Sequence, residues 1–288
     1  MAAVKRRPEW LKVRFQVNEK FAELKQLVTE TRLHTVCQEA RCPNQSECWG
    51  RGTATIMILG DVCTRSCGFC AVKTGRPPVL DEEEPYRVAQ AVARMGLNHV
   101  VITSVDRDEL PDGGSTIWAR TIEEIRKAAP HTSIEVLTPD FKGKREDIVR
   151  VINAGPDIFS HNMETVKRLH RRVRPQAKYE RSLYVLQVAK EMGMVTKTGM
   201  MVGLGETNEE VVELMKDVRA VGVDIFNVGQ YLQPTKRHLP VERYVTPAEF
   251  NEFKRIGLEL GFRHVESGPL VRSSYHAEEQ VLRAKRAI

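Results

Sequence analysis

The sequence has 288 residues, 41% of them hydrophobic and 28% charged, with a formal net charge of +6. That is ordinary for a globular chain long enough to bury one large α/β core. No run approaches the ~18 apolar residues that mark a membrane span, and a pI near 9.0 does not choose between an acidic protein partner and nucleic acid.

The first fifteen residues are basic but hold neither an apolar stretch nor a small-residue cleavage site, so they do not read as a signal peptide. The cysteines are therefore expected in a reducing, cytoplasmic compartment, where metal ligation is favoured over disulfides. A helix is expected near residues 18–30. Cys37, Cys42 and Cys48 follow it as C-x4-C-x5-C. From residue 55, short apolar runs at 56–59, 100–104, 134–137, 158–161, 198–202 and 225–228 read as buried strands. Amphipathic stretches at 85–95, 116–128, 145–154, 179–192 and 209–221 lie between them, and Gly96, Gly155, Gly193 and Gly222 close four of these. Strands alternating with helices predict βαβ units and a parallel sheet. Six repeats suit a partial (β/α)6 TIM-type barrel better than a complete eight-fold one. A further helix is expected within 246–262, then a polar tail from Gly268. The expected organisation is an N-terminal extension over 1–54, a barrel core over 55–245, and a C-terminal helix and tail over 246–288.

In such a barrel the chemistry sits at the C-terminal ends of the strands. Polar residues gather there: Asp61 after the first strand, Ser104, Asp106, Arg107 and Asp108 after the second, Thr138 and Asp140 after the third. Asn162 and Glu164 follow the fourth, where an amide and a carboxylate suit a ribose or an amino group. Gly203, Gly205 and Glu206 follow the fifth, a glycine pair that would let backbone approach a nucleoside, although a turn is the usual meaning of such a spacing. In the basic run around residues 168–174, Arg174 is the candidate partner for a cofactor carboxylate. Directly after the first strand stands a second triplet, Cys63, Cys67 and Cys70, spaced C-x3-C-x2-C. Three thiolates can hold three irons of a [4Fe–4S] cluster and leave the fourth open to a small chelate carrying an amine and a carboxylate. A structural zinc would call for paired C-x2-C knuckles, and only one such doublet is present.

With Phe69 preceding Cys70, the second triplet resembles the radical S-adenosylmethionine superfamily. The first triplet, in T-V-C-Q-E-A-R-C-P-N-Q-S-E-C-W, resembles the lipoyl synthase family within it. So do V-D-R-D-E-L-P-D-G-G at 105–114, H-N-M-E-T at 161–165 and R-S-S-Y-H-A at 272–277, and the similarity runs over nearly the whole chain. The resemblance implies two [4Fe–4S] clusters and S-adenosyl-L-methionine as cofactors. Cys63, Cys67 and Cys70 would hold the cluster that cleaves S-adenosylmethionine. Cys37, Cys42 and Cys48 would hold an auxiliary cluster whose fourth ligand is a serine, Ser274 ahead of its neighbour Ser273. That cluster would be dismantled to insert sulfur at C6 and C8 of an octanoyl chain amide-linked to a carrier lysine. The implied partners are octanoylated lipoyl carrier domains (2-oxoacid dehydrogenase E2 subunits and the glycine cleavage H protein) and a flavodoxin or ferredoxin reductant, with no nucleic acid and no membrane. Trp49, next to Cys48, would shield the auxiliary cluster from solvent.

Overall fold

The structure, a computed structural model, describes residues 7–12, 18–31, 33–39, 42–51, 53–77, 79–275 and 277–279. The N-terminal part holds α1 (Glu19–Glu30), β1 (His34–Thr35), α2 (Val36–Glu39) and α3 (Gln45–Gly50). Asn18 starts α1 by accepting a hydrogen bond from Phe21 N, which satisfies one of the free amides of the first turn. Then come β2 (Thr55–Ile58), a two-stranded ribbon of β3 (Val62–Cys63) and β4 (Lys73–Thr74), α4 (Glu84–Met95), β5 (His99–Ser104), α5 (Ser115–Ala128) and β6 (Ser133–Leu137). The chain continues through α6 (Arg145–Asn153), β7 (Ile158–Ser160), α7 (His170–Val173), α8 (Tyr179–Glu191) and β8 (Val195–Val202). It closes with α9 (Asn208–Ala220), β9 (Ile225–Gln230), α10 (Pro247–Glu259) and β10 (His264–Gly268).

The main sheet runs β1-β2-β5-β6-β7-β8-β9-β10, parallel throughout except for β1 against β2. Strand order follows chain order, as in a barrel wall, and among the described residues no ladder joins β10 back to β1. The six expected strands are β2, β5, β6, β7, β8 and β9. A seventh parallel strand, β10, lies within the stretch read above as helix and tail. Its sequence H-V-E-S-G carries one aliphatic residue, so no apolar run announces it. Pairing with β9, His264 opposite Ile225, supplies what its composition lacks.

The parallel strands are covered on both faces, and Thr55–Ile58 is buried at every position. Helices α9 and α10 begin with complete capping boxes, Thr207 with Glu210 and Thr246 with Glu249. Phe21, Leu24 and Val28 of α1 belong to the same apolar cluster as Ile56, Val88 and Ile122, and Phe250 and Phe253 of α10 join Val202, Val211 and Phe226. Both terminal parts thus pack into the barrel's own core. No helix among the described residues is long and apolar enough to cross a membrane.

Inside the wall, Lys197 of β8 meets Glu135 of β6 at 3.0 Å, and Ser160 Oγ donates to the same carboxylate at 2.9 Å. Burial pushes Glu135 up, but Lys197 and His99 outweigh it and hold it at about 2. His161 is buried next to this layer. Its Nδ1–H donates to Thr138 O at 2.8 Å and its Nε2 accepts from Ser182 Oγ at 3.0 Å. Burial, aided by Arg174, lowers His161 to about 4. A histidine lowered in the folded state contributes stability above its unfolded pKa of about 6.5, and that stability is lost as pH falls toward the folded value. Asp106, raised to about 6 mainly by burial, titrates in the opposite sense, so the histidine is best isolated by difference. Between pH 8 and pH 5 the parent apoprotein should lose about 2 kcal/mol of urea-measured stability that a His161→Gln variant does not lose. Parallel curves for the two proteins would refute this.

Candidate active site

Cys63 ends β3, Cys67 and Cys70 lie in the loop from β3 to β4, and buried charge fixes that loop. Arg65, within the loop, has a side chain only 2% exposed. Its Nε donates to Asp108 Oδ2 at 2.7 Å and its Nη2 to Asp108 Oδ1 at 2.9 Å and Asp140 Oδ1 at 2.6 Å, while Nη1 lies 3.2 Å from Asp106 Oδ1. One guanidinium thus ties the loop to the ends of β5 and β6. Burial would lower Arg65, but its bonds to Asp108 and Asp140 outweigh that and raise it. Backbone bonds add two further ties: Gly68 N to Val173 O and Leu239 N to Gly68 O, both at 2.9 Å. Sequence reading noticed the aspartates as rim polarity and missed Arg65, the residue that joins them.

The first triplet is held by the other end of the wall. Cys37 lies in α2 and Cys48 in α3, and the polar tail after β10 docks on this region. Asn44 Nδ2 donates to Leu270 O at 2.6 Å, Tyr275 Oη donates to Glu47 Oε1 at 3.1 Å, and Arg51 reaches Glu278 at 2.9 Å. Ser274 is brought there by this clasp. His276, part of the same tail motif, lies outside the described residues, as do Ala40 and Arg41 between the first two cysteines and most of the basic stretch 1–15.

One cavity of about 530 Å³ is lined by all six cysteines and by Asn162, Glu164, Arg174, Ser273 and Ser274. Asn162 Nδ2 donates to Glu164 Oε1 at 2.9 Å and to Ser273 Oγ at 2.8 Å, and Arg174 Nη1 donates to Asn162 O at 2.9 Å. Burial raises Glu164, and Arg174 opposes the shift. Ser273 therefore has a committed hydroxyl, whereas Ser274 makes no hydrogen bond among the described residues. Gly203, Gly205 and Glu206 do not line the cavity: Glu206 is buried and accepts from Gly203 N at 2.6 Å and Leu204 N at 2.9 Å, fastening a turn onto itself. Gly203 has φ +101°, and a Cβ there would fall 2.1 Å from Gln230 Nε2. The glycine pair serves a tight turn, which a Gly-x-Gly spacing cannot distinguish from a nucleoside seat. In the basic run, Arg168 pairs with Glu210 and Arg172 with Glu242 at the surface; only Arg174 reaches the cavity.

The donor set fits iron–sulfur clusters. All six thiols are free. Burial, reinforced by neighbouring cysteines, pushes Cys37 and Cys70 up to about 11 and Cys67 up to about 12, so thiolates here call for a bound cation. Cys63 Sγ accepts from Arg65 N and Asp106 N, both at 3.4 Å, the kind of N–H···S contact that stabilises a cluster thiolate. The Trp49 indole N–H is directed at the Cys37 thiol, and Nε of Arg174, in the cavity wall, has no hydrogen-bond partner among the described residues. Among the described residues no three His, Cys, Asp or Glu side chains are gathered as a single-ion site, and a cuboidal cluster spaces its thiolates wider than one tetrahedral ion does.

A family model for the radical SAM superfamily matches residues 57–218, and one for the N-terminal domain of lipoyl synthase matches residues 2–42. A lipoyl synthase of Rubrobacter xylanophilus is 62% identical over 97% of this chain and 88% of its own length. The chain belongs to the lipoyl synthase family. Lipoyl synthase of Bacillus cytotoxicus is 58% identical over 98% of this chain and 95% of its own, and the mitochondrial lipoyl synthase of Nematostella vectensis is 55% identical over 96% and 95%. The fold recurs in methylornithine synthase, with a TM-score of 0.56 at 14% identity over 91% of this chain and 86% of that one. It recurs also in the hydrogenase maturase HydG of Carboxydothermus hydrogenoformans, at 0.56 and 13% over 93% and 79%. As a member of this family the chain is a radical SAM sulfurtransferase of lipoyl cofactor biosynthesis, acting on octanoylated carrier protein with S-adenosylmethionine and two [4Fe–4S] clusters.

Proposed function

We propose that the two cysteine triplets divide the work of inserting sulfur at C6 and C8 of a carrier-bound octanoyl-lysine. The observation that carries this reading is the meeting of both triplets in one cavity. Cys63, Cys67 and Cys70 hold the cluster that binds S-adenosylmethionine; Cys37, Cys42 and Cys48, completed by Ser274, hold the auxiliary cluster that gives up sulfide. Between them these groups supply hydrogen abstraction from an unactivated carbon and a sulfur atom to replace it.

The chain's own residues bind, orient and exclude water. Asn162, Glu164 and Arg174 form a polar seat beside the second triplet, with a carboxylate for an ammonium or ribose and a guanidinium for a carboxylate. Met57, Val105, Leu137, Met200, Leu232 and Val271 give the same cavity an apolar lining suited to an alkyl chain. Trp49 and Phe21, with ring centroids 5.5 Å apart, close the back of the first triplet against solvent. The serine hydroxyl is a poorer match than a thiolate for the cluster, which makes its iron the easiest to release.

In organisation, residues 55–245 act as the catalytic core, 1–54 bring the auxiliary cysteines, and 246–288 bring the serine. The partners are octanoylated E2 and H-protein carrier domains and a flavodoxin or ferredoxin reductant rather than nucleic acid or a membrane, with the enzyme in the cytoplasm. The test is a single turnover of anaerobically reconstituted enzyme with dithionite, S-adenosylmethionine and an octanoyl-lysine peptide. Mass spectrometry should find two sulfurs gained. Release of 5′-deoxyadenosine with an unmodified peptide would sink the substrate assignment.

A further inference from the structure

We propose that Ser273 is a positioning residue that couples the S-adenosylmethionine seat to the auxiliary-cluster serine, so that occupancy of one site strengthens the other. The inference rests on the assignments of Asn162, Glu164 and Ser274 made above.

The tail enters a seat built for it. Gly199 in β8 and Gly229 in β9 have no left-handed backbone to explain them. Both instead make room. A Cβ at Gly229 would fall 2.0 Å from Val271 O, and one at Gly199 would fall 3.1 Å from Asn162 Oδ1 and 3.4 Å from Ser273 Oγ. Missing side chains on neighbouring strands thus make room for the tail, for its backbone at Gly229 and for the Ser273 hydroxyl beside Asn162 at Gly199. Once there, it is held at Ser273 from two sides. Asn227 Nδ2 donates to Ser273 O at 3.0 Å, and Asn162 Nδ2 donates to Ser273 Oγ at 2.8 Å.

The second of these bonds carries the coupling. The Asn162 amide spends its other proton on Glu164 Oε1 at 2.9 Å, and Arg174 fixes the Asn162 carbonyl at 2.9 Å. The chain of contacts therefore runs Arg174–Asn162–Glu164 on the seat side and Asn162–Ser273 on the tail side, and Ser274 is the next residue. A ligand that orders Asn162 and Glu164 also orders Ser273, which lowers the entropic cost of holding Ser274 on iron. Linkage makes the effect reciprocal: retention of Ser274 on its iron tightens the seat by the same factor.

The experiment uses reconstituted holoenzyme and its Ser273→Ala, Gly199→Ala and Ser274→Ala variants. It measures S-adenosylmethionine affinity by equilibrium dialysis, iron per chain, and the electron paramagnetic resonance spectrum of the oxidised protein. Ser273→Ala should weaken S-adenosylmethionine binding about tenfold. It should also lower iron from about eight to about seven per chain with a three-iron signal, although every proposed ligand remains. Gly199→Ala, which presses on the same contact from the strand side, should move both readouts in the same direction. Unchanged affinity and iron in Ser273→Ala would overturn the coupling. Ser274→Ala tests the underlying reading separately, since an unchanged iron count there would remove the serine ligand itself. Hydrogen exchange on the parent holoenzyme needs no variant: amides within residues 270–275 should exchange more slowly when S-adenosylmethionine is added. Exchange that ignores the cofactor would likewise overturn the proposal.

Discussion

Replacing Cys67 by alanine should abolish cleavage of S-adenosylmethionine, whereas replacing Cys42 should leave cleavage intact and stop sulfur insertion. Each thiol belongs to a separate group within the shared cavity. Cys67 is influenced by Cys70, Arg174 and Glu164, and Cys42 by Arg272 and Asn44. Removing one thiolate from a three-thiolate site costs the whole cluster, so either variant should fall from about eight irons to about four. The two differ in which half survives. In the Cys42 variant the seat around Asn162, Glu164 and Arg174 stays whole, and 5′-deoxyadenosine should still form with unmodified octanoyl peptide. Release of 5′-deoxyadenosine should be measured alongside the mass of the peptide. Loss of cleavage in both variants would refute the division of labour.

Arg65→Ala should destabilise the apoprotein by roughly 3–5 kcal/mol, the usual cost of leaving buried charge without its partner. The variant confronts Asp106, Asp108 and Asp140 with one another, and Asp140 keeps one arginine among the described residues, Arg181 at 3.2 Å, besides the Lys142 backbone N–H at 3.0 Å. Arg65→Lys should recover little, because one ammonium cannot span three carboxylates that a planar fork reaches from different edges. Urea unfolding of the metal-free chains measures this without involving the clusters. A loss below about 1 kcal/mol would mean that the network is effectively solvated, as surface pairs are. The same variant should also load iron poorly at Cys63, Cys67 and Cys70, since Arg65 is the buried tie between their loop and the strand ends.

What the sequence disclosed was mostly local. Apolar runs such as V-V-I-T and glycine at helix ends are short-range signals, and the six strands and the helices between them follow from these. The cysteine spacings are local too, and they carried the cofactor chemistry. Residues whose meaning depends on distant partners stayed hidden. Arg65 acquires its role from aspartates 43 and 75 positions away, and β10 becomes a strand because β9 offers it an edge. The glycine pair at 203 and 205 stayed ambiguous for a related reason: a positive-φ turn and a nucleoside seat demand the same residues. Ser273 and Ser274 are indistinguishable as letters, and the contacts of Ser273 with Asn162 and Asn227 set them apart.

The clasp between the two chain ends bears on how the protein is made. Asn44 and Leu270 are 226 positions apart, and Tyr275 and Glu47 are 228 apart. Cys37, Cys42 and Cys48 therefore leave the ribosome long before the serine proposed to complete their site. The loop of Cys63, Cys67 and Cys70 finds its anchoring aspartates within the next 75 residues and its backbone ties at Val173 and Leu239, all before the tail. Maturation acquires an order from this: the site proposed for S-adenosylmethionine can take shape earlier in synthesis, whereas the site proposed for the auxiliary cluster must await the tail that carries Ser274.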